Sequence, residues 1–292
     1  MTNSLKSKIK KTPVLKLLLK VYRRFKYNRF IKLKNILSNN YIWMYLRHDS
    51  HIERNFLKNG IYGEWEKESL KIWAELCKKS NHILDIGANT GTYSLIAKSQ
   101  NSHANVYAIE PIDLNFDILS KNIQKNEFKI HAEKVALSGK EGVAKMFMLK
   151  DRLNYMTSIN DNRYEGHPEL TDVTEVVEIE VPIKTFEYLS TKYSIPKVDL
   201  IKIDVEGHEL DVLKNMQTVI ARDKPTILIE VIGDENAKLL HEMFSSLDYK
   251  YISIDEKNKS FVSETIWDND HHNFLLCDEE TISYLRSKKL VV

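Results

Sequence analysis

The sequence predicts an α/β fold built on a mostly parallel sheet. Short apolar runs, HILDIGA (residues 82–88), NVYAIEP (105–111) and VDLIKID (198–204), alternate with amphipathic segments of helical length. Strands that alternate with helices form β-α-β units, and such units build parallel sheets. Polar or charged residues follow each of these runs. Because open α/β sheets bind their ligands beyond the carboxyl ends of the strands, we expect the functional site at that edge.

Helical periodicity and apolar runs assign the elements in order. Residues 64–79 place Trp73 and Cys77 on one apolar helical face. The same criteria assign the rest: helix 89–100, strand 105–111, helix 114–126, strand 129–137, strand and helix 176–189, strand 198–204, helix 208–221, strand 225–231, helix 235–247, and closing segments 249–254 and 273–277. The polar stretch 151–175 interrupts this order, and a loop of that length is either a substrate lid or disordered.

The charge of the chain is divided between two regions. Residues 1–48 hold 13 of the 43 Lys and Arg residues and none of the 41 Asp and Glu residues, although the formal net charge of the whole chain is only +2. Such asymmetry is typical of a basic arm with its own partner. We therefore predict a basic, amphipathic helical extension over residues 1–60 and a catalytic domain over residues 61–292.

The predicted extension has two open interpretations. Apolar residues recur at helical spacing between lysines and arginines, which is typical of peripheral helices on anionic membranes. The same pattern suits a helix that packs on the domain or on a second subunit, as in a homo-oligomer. Within residues 8–37 the longest uncharged apolar run, Leu17–Leu19, is far too short to span a bilayer. Two cysteines fit a reducing compartment, so we predict a cytoplasmic protein. In the first interpretation its arm contacts the inner face of the membrane.

The stretch LDIGANTG (residues 84–91) predicts a turn that binds a ligand through its backbone. Gly87 and Gly91 allow a tight turn before a helix whose first N–H groups are free donors. The spacing differs from the dinucleotide fingerprint G-x-G-x-x-G, and Asp85 precedes the first glycine. A carboxylate there repels a pyrophosphate but suits a cofactor with an ammonium or sulfonium group. A plain strand-to-helix turn is the alternative.

Glu110 ends the next predicted strand, 25 residues after Asp85. An acidic residue about 20 residues after a glycine loop is placed to accept hydrogen bonds from ribose hydroxyls. The alternative is a surface glutamate in front of Pro111. Its pairing with the glycine loop favours the ribose contact.

The stretch VDLIKIDVEGHELDVL (residues 198–213) has four ionisable residues where a buried strand passes into a helix: Lys202, Asp204, Glu206 and His208. Each would cost several kcal/mol if it were buried without a partner. His208 is the side chain best suited to take a proton near neutral pH, and Glu206 and Asp204 are its rivals. In the alternative interpretation His208 is only a helix-start residue with a local hydrogen bond.

The motifs DIGANTG, EP and KIDVEGHELDVL, in that order, resemble the FkbM family of class I, S-adenosylmethionine-dependent methyltransferases. The resemblance covers roughly residues 60–277. It implies a Rossmann-like sheet that is mostly parallel, with one antiparallel strand near the C-terminus. By this likeness the site would use the following residues to bind the cofactor: Asp85, Gly87, Asn89 and Gly91 at its methionyl part, Glu110 at the ribose, Ala136 near the adenine, and Asp204 beside it.

The resemblance implies O-methylation of a hydroxyl on a sugar, glycan or glycolipid-like acceptor. Asp204, Glu206 or His208 would then take the hydroxyl proton. Asp204 and Glu230 end two predicted neighbouring strands, and their oxygens suit Mg²⁺, which would lower the pKa of the hydroxyl. An acidic pair that makes only structural hydrogen bonds is the alternative.

Two other functions remain open at this stage. One is a nucleic-acid methyltransferase anchored by the basic arm. Nucleic acid is nevertheless not the expected partner, because residues 49–292 contain 30 basic and 41 acidic residues, whereas surfaces that bind nucleic acid are basic. This chain also has DVEG where such enzymes carry an NPPY-like turn. The other is a non-catalytic module that keeps the fold and serves assembly.

Overall fold

Fourteen strands and nine helices are formed by the residues that the computed structural model describes, which are 27–47, 50–149, 157–158, 176–266 and 272–292. The strands are β1 (Arg29–Asn35), β2 (Asn40–Leu46), β3 (His82–Ile86), β4 (Asn105–Ile109), β5 (Ile130–Glu133), β6 (Ala136–Leu137), β7 (Gly142–Leu149), β8 (Thr157–Ser158), β9 (Val176–Lys184), β10 (Leu200–Ile203), β11 (Thr226–Glu230), β12 (Lys250–Ser253), β13 (Phe261–Ser263) and β14 (Asn273–Cys277). The helices are α1 (His51–Asn59), α2 (Lys67–Cys77), α3 (Thr92–Gln100), α4 (Asp113–Asn126), α5 (Phe186–Tyr193), α6 (Glu209–Lys214), α7 (Gln217–Asp223), α8 (Asp234–Ser245) and α9 (Glu279–Ser287).

The central sheet has eight strands in the order β13-β12-β14-β11-β10-β3-β4-β5. Strands β5, β4, β3, β10 and β11 run parallel, and β14 runs antiparallel between β11 and β12. All four residues of β10 are buried, as expected of a parallel strand that is covered on both faces. The predicted mostly parallel α/β sheet is confirmed. Beside β14, the three-residue edge strand β13 is a second reversed strand.

A second sheet of four strands, in the order β6-β9-β7-β8, lies outside the central one. The single strand predicted over residues 129–137 is wrong at its C-terminal end. The chain breaks after β5, and Ala136 pairs with Ile183 of β9 instead of continuing along β4. Ala136 packs there against Ile112 and Met146 in a small apolar cluster of its own. Apart from β8, the predicted lid 151–175 lies outside the described residues.

The N-terminal segment contains a β-hairpin, so the prediction of a helix is wrong for residues 29–46. Strands β1 and β2 pair antiparallel from Arg29↔Leu46 to Asn35↔Asn40. In β1 the buried Ile31 and Leu33 alternate with the exposed Lys32 and Lys34, which is the two-residue period of a strand. Over a short stretch, lysines on either side of apolar residues fit the period of a helix as well as that of a strand. The pairing of β1 with β2 decides for the strand. Residues 1–26 lie outside the described residues.

The hairpin is part of the main hydrophobic core. The inner face of the hairpin packs in one cluster with side chains of α2, β3 and α3. The amide groups of Asn122 and Asn126, on α4, bind the backbone of β2: Tyr45 N donates to Asn122 Oδ1 at 2.7 Å, and Trp43 N donates to Asn126 Oδ1 at 2.8 Å. Helix α1, the helical part of the predicted extension that the structure describes, follows the hairpin directly. Among the described helices, none has the length and apolar character to cross a bilayer.

Candidate active site

The glycine loop connects β3 to α3 and passes close to the end of β10. Gly87 has a φ of +82°, and a Cβ atom at this position would lie 1.8 Å from the backbone oxygen of Asp204. Gly91 has a φ of +96°, and a Cβ atom there would lie 2.6 Å from Leu119 Cδ1. Only glycine satisfies both the positive φ and the close approach. Gly87 therefore lets the loop pack against the end of β10, and Gly91 lets it approach Leu119 on α4.

Glu110, at the end of β4, binds the glycine loop. Its Oε2 accepts a hydrogen bond from Asn89 N at 2.8 Å, and its Oε1 accepts from Ile112 N at 2.9 Å and from Asn115 Nδ2 at 3.4 Å. The side chain is only 4% exposed. Burial raises the pKa of Glu110 to about 7, against the opposing effect of these donors. Glu110 thus orients the glycine loop through its hydrogen bond with Asn89 N, and it is a buried residue and not a surface one.

Lys202 is a buried cation at the centre of the site. It is 1% exposed, and its Nζ lies 3.5 Å from Asp204 Oδ2 and 5.1 Å from the centre of the Tyr93 ring. Burial by itself lowers the pKa of Lys202, but the net effect is a raised pKa. Four carboxyl groups together outweigh burial: those of Asp204, Glu66, Glu230 and Asp85. Lys202 therefore stays charged.

Asp85 lies beside Lys202 across the parallel pair β3–β10. It is buried, and its Oδ2 accepts a hydrogen bond from Ser94 Oγ at 2.6 Å. Burial raises the pKa of Asp85 to about 6, although Ser94 and the charge of Lys202 act in the opposite direction. Asp85 thus lies inside the sheet, where its carboxyl group is one of those that stabilise the charge of Lys202.

Three carboxyl groups meet where β10 and β11 end. Oxygen atoms of Asp204, Glu206 and Glu230 lie within 4.8 Å of one another. Burial is the largest cause of the raised pKa of Glu230, followed by the charge of Asp204 and a hydrogen bond with it. A carboxyl that keeps its proton can donate it in a hydrogen bond to a neighbouring carboxyl oxygen. All three carboxyl groups line the cavity described next.

A cavity of about 190 Å³ opens above these strand ends. The predicted site residues that line it are Gly87, Asn89, Asp204, Glu206 and Glu230. The other lining residues are Ser50, His51, Ile52, Glu53, Trp65, Glu66, Ala88, Thr90, Thr92 and Tyr93. Among the described residues, five predicted ones do not line it: Asp85, Gly91, Glu110, Ala136 and His208.

His208 begins α6 and pairs locally. Its Nε2 lies 2.9 Å from Asp211 Oδ2, and the hydroxyl of Ser138 donates a hydrogen bond to the same oxygen at 2.9 Å. The structure thus separates His208 from Asp204 and Glu206, which line the cavity. The prediction that His208 takes the proton stays untested.

The segment before β3 contributes two acidic residues that the motifs of the sequence did not predict. Glu66 has a φ of +43°, and its Oε2 accepts a hydrogen bond from the Tyr93 hydroxyl at 2.6 Å. Burial raises the pKa of Glu66 to about 7. Glu53, on α1, accepts a hydrogen bond from Thr90 Oγ1 at 2.7 Å and is buried. Both glutamates stand in polar, charged stretches, so no pattern in the sequence distinguishes them from solvated residues.

The donors and acceptors around the cavity fit a cationic methyl donor. S-adenosylmethionine has an ammonium and a sulfonium group, and Asp204, Glu206 and Glu66 present carboxyl groups to the cavity. The pKa of Glu66 is raised by burial, so a cation placed there would stabilise the ionised carboxylate. Gly87 and Asn89 would offer backbone to the methionyl part. The contact of Glu110 with the ribose stays a prediction, because Glu110 does not line the cavity and its oxygens already accept hydrogen bonds from Asn89 N and Ile112 N.

The strand order, with β14 reversed between β11 and β12, is that of class I methyltransferases, and the glycine loop after β3 stands where such enzymes hold their methyl donor. The chain belongs to the FkbM family of methyltransferases, because the family model described as "Methyltransferase FkbM domain" matches residues 85–252, which is more than half of it. The predicted family is therefore confirmed, and the protein is a methyltransferase.

Relatives differ in how much of their length the chain spans. It is 27% identical over 199 residues to "Hexuronic acid methyltransferase AglP" of Haloferax volcanii, a match over 65% of this chain and 74% of that one. It is 26% identical over 147 residues to "Methyltransferase 1" of Beauveria bassiana, a match over 46% of this chain and 57% of that one. The crystal structure of an FkbM methyltransferase from Methylobacillus flagellatus aligns at 15% identity with a TM-score of 0.44, over 68% of this chain and 43% of that one.

Replacement of Gly87 by alanine should destabilise the protein more than the same change at Gly60. Both glycines have nearly the same φ, +82° and +81°, but a Cβ at Gly60 meets nothing within 4 Å. Gly60 has a ψ of 166°, so Gly60→Ala measures backbone strain alone, on the order of 1 to 3 kcal/mol, whereas Gly87→Ala adds the clash with Asp204. We expect the free energy of unfolding in urea to fall by at least about 2 kcal/mol more for Gly87→Ala. Equal losses would contradict the close approach.

The raised pKa values predict that stability depends on pH. Glu66, Asp85 and Glu110 bind protons more tightly in the folded chain than in the unfolded one, so their contribution to stability is present at low pH and lost as the pH rises through about 6 to 7. The partly buried His131, whose pKa is lowered, acts in the opposite direction. A comparison of single variants therefore separates the contributions.

Glu66→Gln should flatten this dependence between about pH 5 and pH 7. Each group that takes up one proton on folding contributes a slope of up to about 1.4 kcal/mol per pH unit. The free energy of unfolding is measured by urea titration at several pH values, without cofactor. Glu187→Gln, on the exposed side of α5, is the matched control and should keep the wild-type slope. Parallel curves for wild type and Glu66→Gln would contradict the expectation.

Proposed function

We propose that the protein is an S-adenosylmethionine-dependent O-methyltransferase that acts on a hydroxyl group of a sugar, glycan or glycolipid-like acceptor. The carboxyl group cluster of Asp204, Glu206 and Glu230, beside the glycine loop, is the observation that carries this proposal. A methyl acceptor with a hydroxyl group must lose a proton during the transfer, and these carboxyl groups are placed to receive it.

The charge of the cavity supports a neutral acceptor. Glu53, Glu66, Asp204, Glu206 and Glu230 all line it. An anionic acceptor group, such as the carboxylate of a uronic acid, would be repelled by so many acidic residues, whereas a hydroxyl group would not. The relative AglP is named for hexuronic acid, a sugar that has hydroxyl groups as well as a carboxylate. We therefore assign the methylation to a hydroxyl group of a sugar and not to a carboxylate.

The reaction requires one proton transfer and one methyl transfer. S-adenosylmethionine, when bound, supplies an electrophilic methyl group on a sulfonium that leaves as a neutral thioether. Asp204 or Glu206 takes the proton of the acceptor hydroxyl. The oxygen of that hydroxyl receives the methyl group. Lys202, 3.5 Å from Asp204, holds that carboxylate at the cavity. Asp204, Glu206 and Glu230 also have the oxygen donors and the spacing that a Mg²⁺ ion would need, and the proton transfer proposed here uses the carboxylates without one.

Calorimetry tests the cofactor assignment. We expect S-adenosylmethionine to bind the wild-type protein and to bind Glu110→Gln at least about tenfold more weakly, because the amide leaves a loop N–H or a ribose hydroxyl without its acceptor. Glu187→Gln, with the same substitution on the surface, should bind like the wild type. Absence of heat with the wild-type protein would refute the cofactor, and equal affinity of Glu110→Gln would refute the contact with ribose.

Isosteric variants test which group takes the proton. Asp204→Asn and Glu206→Gln each remove one of the two candidate bases, and we expect the variant that loses the base to lower kcat at least about 100-fold with little change in KM for the acceptor. His208→Asn, outside the cavity, should lower kcat by less than about tenfold. A metal chelator should leave kcat unchanged.

The measurement is a mass-spectrometric search for singly methylated glycans made from isotope-labelled cofactor, with neutral and uronic sugars as separate acceptors. Methylation at the uronic carboxylate alone would contradict the hydroxyl assignment. A loss of kcat for His208→Asn as large as that for the carboxyl variants would move the base to His208.

A further inference from the structure

The outer face of the β1–β2 hairpin combines aromatic and basic side chains. The inner face is buried in the core, so the opposite face points away from it. The outer face consists of three cross-strand pairs: Phe30 with Tyr45, Lys32 with Trp43, and Lys34 with Tyr41. The Phe30 and Tyr45 rings meet edge to face at 5.2 Å between their centres. One strand thus contributes the lysines and the other most of the rings.

Helix α4 adds two lysines to this face. Lys125 Nζ lies 4.9 Å from the centre of the Trp43 ring, and Lys121 Nζ lies 5.2 Å from the Tyr45 ring. Within the hairpin, Lys32 Nζ lies 4.2 Å from the Tyr41 ring. Cations over aromatic rings keep the ammonium groups next to apolar surface and still open to anions. The basic charge is therefore continuous across the hairpin and α4.

The turn of the hairpin exposes apolar side chains. Ile36 is 64% exposed, Leu37 is 38% exposed, and Tyr41, at the start of β2, is 52% exposed. Single exposed apolar residues are ordinary on protein surfaces, but here three of them adjoin the aromatic and basic face. The hairpin contains no Asp or Glu, and the 28 residues before it contain nine Lys and Arg and no acidic residue.

We propose that this face, defined by residues 30–45 with Lys121 and Lys125 and named here the hairpin face, docks on a bilayer that contains anionic lipids. Tyr and Trp are the side chains that prefer the level of the lipid headgroups, and lysines next to them attract anionic headgroups. Ile36 and Leu37 would enter the upper acyl region, which offers an apolar environment that a nucleic acid backbone does not.

The position of the hairpin face in the chain links it to the cavity. Strand β2 ends at Leu46, and the chain reaches Ser50 and His51, which line the cavity, within five residues. A protein held by the hairpin face would keep that wall of the cavity near the membrane. If the proposed function holds, the acceptor that fits this arrangement is a sugar on a lipid carrier. The docking itself does not depend on methyl transfer.

Vesicle binding by the full chain tests the proposal. The probes are vesicles of phosphatidylcholine alone and of phosphatidylcholine with phosphatidylglycerol, and the readout is the fraction of protein that sediments with them. We expect binding only to the anionic vesicles, with a strong decrease as salt rises. Lys32→Glu/Lys34→Glu should weaken it at least about tenfold, and Ile36→Ser/Leu37→Ser at least about threefold.

Lys257→Glu/Lys259→Glu is the control of equal charge. These exposed lysines lie between β12 and β13, at the opposite edge of the central sheet, and should keep binding within about twofold of wild type. Thermal unfolding and calorimetric binding of S-adenosylmethionine show whether the variants fold.

Three results would overturn the proposal: no binding of the wild type to anionic vesicles, an equal loss in the control, or unchanged binding in both hairpin variants. Binding to single-stranded RNA that the hairpin variants lose, without binding to vesicles, would instead assign the face to nucleic acid.

Discussion

The ammonium group of Lys202 is the buried charge on which the candidate site depends. A cation inside a parallel sheet is costly unless anions surround it, and here it stands among the carboxyl groups of Asp85, Glu66, Asp204 and Glu230. These carboxyls come from β3, from the segment before α2, and from the ends of β10 and β11. One cation thus holds together groups that would otherwise repel one another. The low exposure that makes it costly also makes its attraction strong.

The sheet order explains why these groups meet. Because β3 and β10 are parallel neighbours, Asp85 and Lys202 lie side by side, and Gly87 packs against Asp204. The chain before β3 then closes the open side of the cavity with α1 and Glu66. A methyl donor with two cationic centres and a neutral hydroxyl acceptor both suit a cavity of this charge. The same cluster therefore contains the carboxyl groups whose burial raises their pKa values and the groups of the proposed proton transfer.

The β1–β2 hairpin joins the core to the surface. Its inner face packs with α2 and α3, while its outer face carries rings and lysines. A strand offers two faces of opposite character because successive side chains alternate. A helix with the same residues would have mixed lysines into its apolar side. The hairpin thus places apolar side chains toward the core and keeps lysines and aromatic rings for the proposed contact with an anionic bilayer.

The sequence by itself determined the α/β class, the family and the residues of the local motifs, because a glycine turn, a strand end and a buried lysine leave a signal within a few residues. Asp204, Glu206 and the Gly87–Asn89 loop were found in this way. Only the tertiary structure decided that Glu53 and Glu66 line the cavity, that His208 pairs with Asp211 outside it, and that residues 29–46 form a hairpin. Each of these depends on how the side chains and segments meet in the folded chain, and the periodicity of residues within one segment does not indicate such contacts.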